Sequence, residues 1–141
     1  MGWGNYHLYD FEVTGIHYGD PDPEWGIEIK SARNSSLCRL VLSEGTTFAY
    51  VYDMGDNWEH EILLEKILLP ESGKRYPVCL TGRRGCPPED CGGSGGYAEL
   101  LEIIKNPDHE EYLDRIEWLG GEFDPEAFDA DGINELLKGV E

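Results

Sequence analysis

Three of the four cysteines in this 141-residue chain lie close together and could ligate a metal. Zinc takes four tetrahedral ligands, commonly cysteine thiolate or histidine nitrogen. Cys79, Cys86 and Cys91 form a candidate structural zinc site, with His60 or Asp90 as the fourth ligand. The spacing differs from the usual pair of cysteines two residues apart, and it also lacks the C-x-x-C redox motif. Packing of small sulfur side chains under a tight loop is therefore the interpretation we prefer to metal binding or redox chemistry.

Carboxylates and a histidine form a second candidate site. Asp53 and Asp56 precede His60, and Glu89 and Asp90 follow in the cysteine-rich stretch. Such groups can bind a divalent ion or act as an acid–base pair in catalysis. The two aspartates also suit hydrogen bonds within a turn, and His60 suits a core position. Because the chain holds 29 acidic residues, chance clusters are expected, and the structural interpretation is preferred.

Composition restricts the classes of partner. The chain has 11 Lys and Arg against 29 Asp and Glu, a formal charge of −18 that repels nucleic acids and anionic membranes. The N-terminus lacks the basic start and apolar run of a signal peptide, and no segment approaches the roughly 20 apolar residues of a membrane helix. We expect a cytoplasmic protein with reduced thiols and a single domain over residues 1–141.

The residues that could do chemistry are positioned by a predicted β-hairpin. Residues 46–52 and 58–69 are two runs with strand patterns, joined by a Gly/Asp/Asn turn at residues 53–57. On a period of two, Phe48, Tyr50 and Tyr52 share one face, and His60 lies on the corresponding face of the second strand. His60 is thus predicted to lie on an aromatic surface.

The other predicted elements lie on either side of this hairpin. Residues 8–13 alternate as a strand, residues 24–36 are expected to be an exposed excursion, and residues 38–42 fit either a strand or a helical turn. Residues 76–97 hold three cysteines, three prolines and six glycines, and predict an irregular loop.

Three helices are predicted after the loop. The first spans residues 97–105, with Tyr97, Leu100, Leu101 and Ile104 on one stripe. The second is capped by Asp108 and ends at Gly120, and the third starts at Asp131. The fold class is α+β: an antiparallel sheet with a prominent hairpin, a Pro/Gly/Cys loop, and C-terminal helices packed on the sheet.

Several motifs in this order resemble one family. The quoted stretches are residues 50–60 (YVYDMGDNWEH), 76–79 (YPVC), 86–93 (CPPEDCGG), 96–97 (GY) and 123–128 (FDPEAF). Together they resemble the plasmid pRiA4b ORF-3-like family. The resemblance implies an α+β fold and no particular reaction.

One departure from the family pattern concerns the N-terminus. Members of the family usually begin with a strand and a helix that ends in Gly-Trp just before a His-Leu strand, and residues 2–3 and 7–8 resemble that junction. We therefore expect this chain to lack the first strand and helix. Such a loss leaves an unpaired strand edge and an uncovered core face, which predicts a homo-oligomer formed by strand pairing or element exchange.

Three hypotheses of function follow. The first is a small, self-associating interaction module that binds protein. The second is a metal-dependent, hydrolase-like enzyme using the turn at Asp53, Asp56 and His60 with the cysteine-rich loop. The third, a DNA-handling protein carried on mobile elements, fits the family name but conflicts with the acidic surface.

Overall fold

The computed structural model describes residues 2–21, 28–41 and 43–140. The five strands lie in the first half of the chain and the three longest helices in the second half, so the predicted α+β class is confirmed. The elements are β1 (Tyr9–Val13), β2 (Ile16–Gly19), β3 (Ile29–Ser31), a 3₁₀ helix (Ala32–Asn34), α1 (Leu37–Leu40), β4 (Thr47–Tyr52), β5 (Trp58–Leu63), α2 (Gly93–Ile104), α3 (Tyr112–Leu119) and α4 (Ala130–Leu137). Within these described ranges, no helix is long and apolar enough to cross a membrane.

The chain divides into two compact units. We call residues 4–68 with 92–94 the sheet unit, and residues 1–3, 69–91 and 95–141 the helical unit. All five strands belong to the sheet unit, and α3 and α4 belong to the helical unit. The single-domain organisation of residues 1–141 stays a prediction.

The sheet has the strand order β3-β2-β1-β4-β5. All neighbouring strands are antiparallel except β2 and β3, which are parallel. The predicted hairpin is confirmed as β4 and β5, with Tyr50 opposite His60 and Tyr52 opposite Trp58. Because directly opposed residues point to the same side, the aromatic residues of β4 and His60 share one face, as the alternation predicts.

A second hairpin joins β1 to β2 and was not predicted from the sequence. Its two-residue turn is Thr14-Gly15, and both residues have positive φ, 52° and 76°. This is the primed turn geometry that matches the twist of a hairpin. Glycine adopts it freely, whereas the β-branched Thr14 is strained there, and its hydroxyl donates a hydrogen bond to the Val13 carbonyl oxygen at 2.7 Å.

The excursion expected at residues 24–36 is only partly correct. Residues 29–31 form β3, which extends the sheet beside β2, and the 3₁₀ helix follows directly. Residues 22–27 lie outside the described residues, as does Leu42 at the end of the apolar run. The run itself forms the helical turn α1, one of the two alternatives for it.

The core of the sheet unit lies on the aromatic face of the sheet. Buried Val13, Tyr18, Val41 and Phe48 form one cluster. Partly buried residues that pack against this cluster are Phe11, Ala32, Leu40, Ile62 and Leu64. The alternation of apolar and acidic residues along β1 therefore selects which side of the sheet becomes the core.

In the helical unit, two predicted helix starts are wrong. Helix α2 begins at Gly93 rather than at residue 97, so regular structure does include the glycine run. Its buried residues are Leu100 and Ile103, which shifts the predicted stripe by one position at its C-terminal end. Helix α3 begins after Glu111 rather than at Asp108, because Asn106 and His109 side chains bond the backbone amides of Asp108 and Glu111 and hold turns there.

The remaining helix ends agree with the sequence patterns to within two residues. Gly120 terminates α3 in the left-handed region with φ of 74°, as expected for a helix C-terminus. The Asp129 side chain caps α4 by accepting a hydrogen bond from the Gly132 amide at 2.9 Å. The cap therefore lies two residues before the predicted start at Asp131.

Candidate functional site

The turn between β4 and β5 uses both of its candidate catalytic aspartates in hydrogen bonds. Asp53 is 7% exposed and has a positive φ of 58°, and its Oδ1 accepts from the Gly55 amide at 2.9 Å. Asp56 Oδ2 accepts from the Gly92 amide at 3.1 Å. The first contact holds the turn, as Asx-type side chains commonly do, and the second joins the turn to the residue before α2. The geometry of both residues accords with the structural alternative.

His60 lies on the aromatic face of the sheet. Its ring is 5.3 Å from the Tyr50 ring between centroids, and its Nδ1 is 3.1 Å from the Tyr50 carbonyl oxygen. Burial raises the pKa of the Tyr50 hydroxyl above its usual value. His60 thus packs in a row of aromatic rings that crosses β1, β4 and β5. In this row the Phe11 and Tyr50 rings stack, with 4.5 Å between their centroids.

A histidine that the sequence patterns did not single out lies nearer to Asp53. His7 Nδ1 is 3.6 Å from Asp53 Oδ2, and the His7 ring meets the edge of Tyr52 at 5.7 Å. Asp53 also donates its amide to the Leu8 carbonyl oxygen at 2.9 Å. His7 precedes β1 in an irregular segment, so no periodicity in the sequence could have indicated this contact.

The three cysteines of the proposed zinc site belong to the helical unit, whereas His60 belongs to the sheet unit. Cys79, Cys86 and Cys91 are half-buried thiols. Within the described ranges, they do not form a group whose three sulfurs all lie within 4.8 Å of one another. The zinc set stays a prediction, and so do the catalytic candidates Glu89 and Asp90, which also lie in the helical unit.

The cysteine-rich loop is held by hydrogen bonds from three distant parts of the helical unit. The Asn134 side chain accepts from the Cys79 amide at 2.7 Å and donates to the Cys79 carbonyl oxygen at 3.0 Å. The Trp3 indole donates to the Pro87 carbonyl oxygen at 2.8 Å, and the Gly85 amide donates to that of Pro125 at 2.9 Å. These bonds fix an irregular backbone that has no strand or helix partner of its own.

Aromatic contacts connect the same loop to the segment 123–128. Phe123 meets Tyr97 edge to face at 6.3 Å between ring centroids. The Phe128 ring lies so close to Gly82 that a Cβ there would collide with it. Arg84 also pairs with Glu126 at 3.4 Å. Two of the stretches that carry the family resemblance, residues 96–97 and 123–128, thus meet within the helical unit.

A concave apolar surface lies on the aromatic face of the sheet unit, with a volume of about 230 Å³. We call it the apolar groove. Its floor comes from the strands and its wall from the 3₁₀ helix, the residue after it and α1. The lining residues are Phe11, Val13, Tyr18, Phe48 and Ile62 from the strands, with Ala32, Ser35, Leu37 and Leu40. Leu37 at the wall is 57% exposed.

The opposite face of the sheet is acidic. Ala49 lies between Glu12 on β1 and Glu61 on β5, and a wide groove of about 750 Å³ is lined by these residues. On the same face, His17 Nδ1 donates to Asp10 Oδ2 at 2.6 Å, and this hydrogen bond raises the pKa of His17. The two grooves thus differ in polarity, because glutamates contribute to the lining of this one and not to the lining of the apolar groove.

Comparison with known proteins adds a family and a fold. The model of the plasmid pRiA4b ORF-3-like protein family matches residues 1–132. "Uncharacterized protein y4hQ" of Sinorhizobium fredii is 40% identical over 139 residues, which are 97% of this chain and 71% of the relative. A crystal structure of a protein of unknown function, MM3350 from Methanosarcina mazei Go1, is 40% identical with a TM-score of 0.83. That match covers 94% of this chain and 75% of the other. Neither name states an activity.

Proposed function

Because the chain belongs to the plasmid pRiA4b ORF-3-like family, whose compared members are not named for any activity, we propose its function from its surfaces. We propose that it is a protein-interaction module that self-associates through the apolar groove. The observation that carries this proposal is an open apolar groove over the core of the sheet unit. Its floor includes Val13, Tyr18 and Phe48, three of the buried residues of the core cluster.

The lining of the groove favours protein side chains over a small-molecule ligand. Its volume of about 230 Å³ is below the roughly 300–1,000 Å³ of typical ligand pockets. Ligand sites also need a few placed polar groups for orientation, and the polar side-chain groups in this lining are those of Ser35 and Tyr18. An aliphatic side chain from another protein needs no such groups.

The strand edge supports association through the face rather than by strand pairing. Within the described residues, β5 is an edge strand that pairs with β4. Its acidic residues Glu59 and Glu61 alternate along this edge. Two β5 strands could pair antiparallel near their centres while each face of the sheet continues across both copies. A glutamate of one strand, Glu59 or Glu61, would then lie opposite a glutamate of the other. Like charges directly opposite each other are destabilising. Charged edge residues of this kind protect proteins against edge-to-edge pairing.

The test of this function is the mass of the protein in solution. Light scattering from about 1 to 200 µM should show a rise above the 15.9 kDa of one chain toward twice that mass. Raising the ionic strength from about 0.05 to 0.5 M should strengthen association, because salt screens the repulsion between chains of charge −18. A constant mass of one chain at every concentration and salt would contradict the proposal.

A further inference from the structure

A second concave surface of the sheet unit combines aromatic rings with charged and polar groups. It adjoins the apolar groove, with which it shares Phe11 and Ala32, and its volume is about 310 Å³. That volume falls at the lower end of the roughly 300–1,000 Å³ of ligand pockets. We call this surface the tyrosine pocket. Its lining residues are Asn5, Tyr9, Phe11, Ala32, Arg33 and Tyr50, all in the sheet unit.

The pairing of β1 with β4 places the rings of the tyrosine pocket. Tyr9 and Phe11 are two residues apart on β1 and so share a face, and Tyr50 lies directly opposite Phe11. The Phe11 and Tyr50 rings stack with 27° between their planes, and the Tyr9 ring meets Phe11 edge-on at 5.9 Å between centroids. Burial raises the pKa of Tyr50, and the neighbouring phenols of Tyr52 and Tyr9 add to that rise. Contiguous rings of this kind offer a planar ligand a surface for stacking.

The 3₁₀ helix brings a cation to the tyrosine pocket. The Arg33 side chain is 79% exposed, and its Nε donates to Asp20 Oδ1 at 3.3 Å. This bond uses one of the five N–H donors of the guanidinium. Asp20 raises the pKa of Arg33, and Tyr9 adds to that rise, so the Tyr9 phenol lies close to the guanidinium. The carboxamide of Asn5 contributes a neutral donor to the lining. The pocket therefore holds the placed polar groups that a small-molecule site needs.

We propose that the tyrosine pocket binds a small aromatic monocarboxylate, with the ligand ring against Phe11 and Tyr50 and its carboxylate at Arg33. The planar fork of a guanidinium matches the two oxygens of a carboxylate. The Asp20 carboxylate beside Arg33 and the chain charge of −18 repel anions with several charges, such as phosphates, more strongly than a single carboxylate. A cationic ligand is disfavoured because the guanidinium is part of the lining. This site adds a small-molecule ligand to a chain whose proposed function is self-association.

The experiment titrates phenylacetate into the isotopically labelled full chain and follows the backbone amides by NMR at constant ionic strength. The amide shifts should be largest at the six lining residues, with a Kd on the order of 1 mM for so small a ligand. Phenylacetamide lacks the charge and acetate lacks the ring. Each should bind at least about tenfold more weakly than phenylacetate.

Variants of two exposed arginines test the role of the guanidinium. Arg33→Gln should raise the Kd for phenylacetate about tenfold, because it removes a charge-assisted hydrogen bond. Arg33→Lys should recover part of this loss, since lysine keeps the charge without the fork. Arg39→Gln, on α1 of the same unit, is the matched control and should leave the Kd within about twofold. Circular dichroism should show that all three variants are folded.

Three results would overturn the proposed ligand site. The first is the absence of amide shifts at the lining residues up to about 20 mM phenylacetate. The second is equal affinity for phenylacetate and phenylacetamide, or equal effects of Arg33→Gln and Arg39→Gln. The third is tighter binding of phenyltrimethylammonium, which would identify a site for cations instead. None of these results depends on the mass of the protein, so self-association keeps its separate test.

Discussion

Asn134→Ala should destabilise the helical unit, because one amide side chain satisfies both backbone groups of Cys79. The Cys79 amide and carbonyl form bonds of 2.7 and 3.0 Å with this side chain. Leaving a buried donor or acceptor unsatisfied costs about 1–3 kcal/mol, and Asn134 is only half-buried, so water recovers part of the loss. We expect a loss of about 1.5–3 kcal/mol in the free energy of unfolding.

The assay is urea denaturation followed by tryptophan fluorescence and far-UV circular dichroism. The midpoint should fall with little change in the m-value, and the thermal midpoint should fall by about 4–10 °C. Asn34→Ala, at an exposed position at the end of the 3₁₀ helix, is the matched control and should change stability by less than about 0.5 kcal/mol. If Asn134→Ala is as stable as Asn34→Ala, the cysteine-rich loop is not held in the way described.

Three further predictions address the close packing at Gly93, the hydrogen bond between His17 and Asp10, and the cysteine thiols. Gly93→Ala should cost more than about 2 kcal/mol by denaturant titration, because its φ is 65° and a Cβ would collide with the Asp56 carbonyl oxygen; a variant of unchanged stability would contradict this packing. His17→Gln should lower the free energy of unfolding more at about pH 5.5 than at about pH 9. Asp10 raises the pKa of His17 in the folded protein above its ordinary value of 6.5. The stability that the pair contributes is therefore fully present below pH 6.5 and is lost as the pH rises through the folded-state pKa. Equal losses at both pH values would exclude that linkage. Protein purified without a metal-binding tag should contain well below one zinc per chain by atomic emission, and one zinc per chain would instead favour the predicted cysteine site.

Strong local patterns made part of the fold predictable. The hairpin of β4 and β5 combines alternating aromatic residues with a turn of Gly, Asp and Asn, and its register places His60 opposite Tyr50. The hairpin at Thr14-Gly15 was missed because β2 has four residues and its turn lacks the common Asn-Gly or Asp-Gly pair. The three residues of β3 depend on a parallel partner that lies outside their local sequence.

The glycine run shows a second reason why sequence patterns can misplace the start of a helix. Glycine is unfavourable within helices, so residues 93–96 were assigned to the loop. Gly93 is nevertheless in α2, and its lack of a Cβ permits close approach to the Asp56 carbonyl oxygen. Only tertiary contacts distinguish glycines that supply flexibility from glycines that supply space.

The candidate sites were harder to assess from the sequence than the fold. The residue types at Asp53, Asp56 and His60 are compatible with catalysis, although turn hydrogen bonds for the aspartates and a core position for His60 are the preferred interpretation. The hydrogen bonds to Gly55 and Gly92 became evident only in three dimensions. The apolar run at residues 38–42 indicated part of the groove, to which it contributes Leu40, but the floor is built from four strands that span residues 11 to 62.

The most direct test of the central claim is a sedimentation-velocity series of the wild-type chain and Ser35→Leu at about 1–200 µM. The account predicts that the wild type shifts from one chain of 15.9 kDa to two chains as concentration rises. It also predicts that Ser35→Leu, which places a larger side chain in the lining of the groove, remains largely at the mass of one chain once circular dichroism has shown that it is folded. A wild-type protein with the mass of a single chain throughout the series would contradict the account.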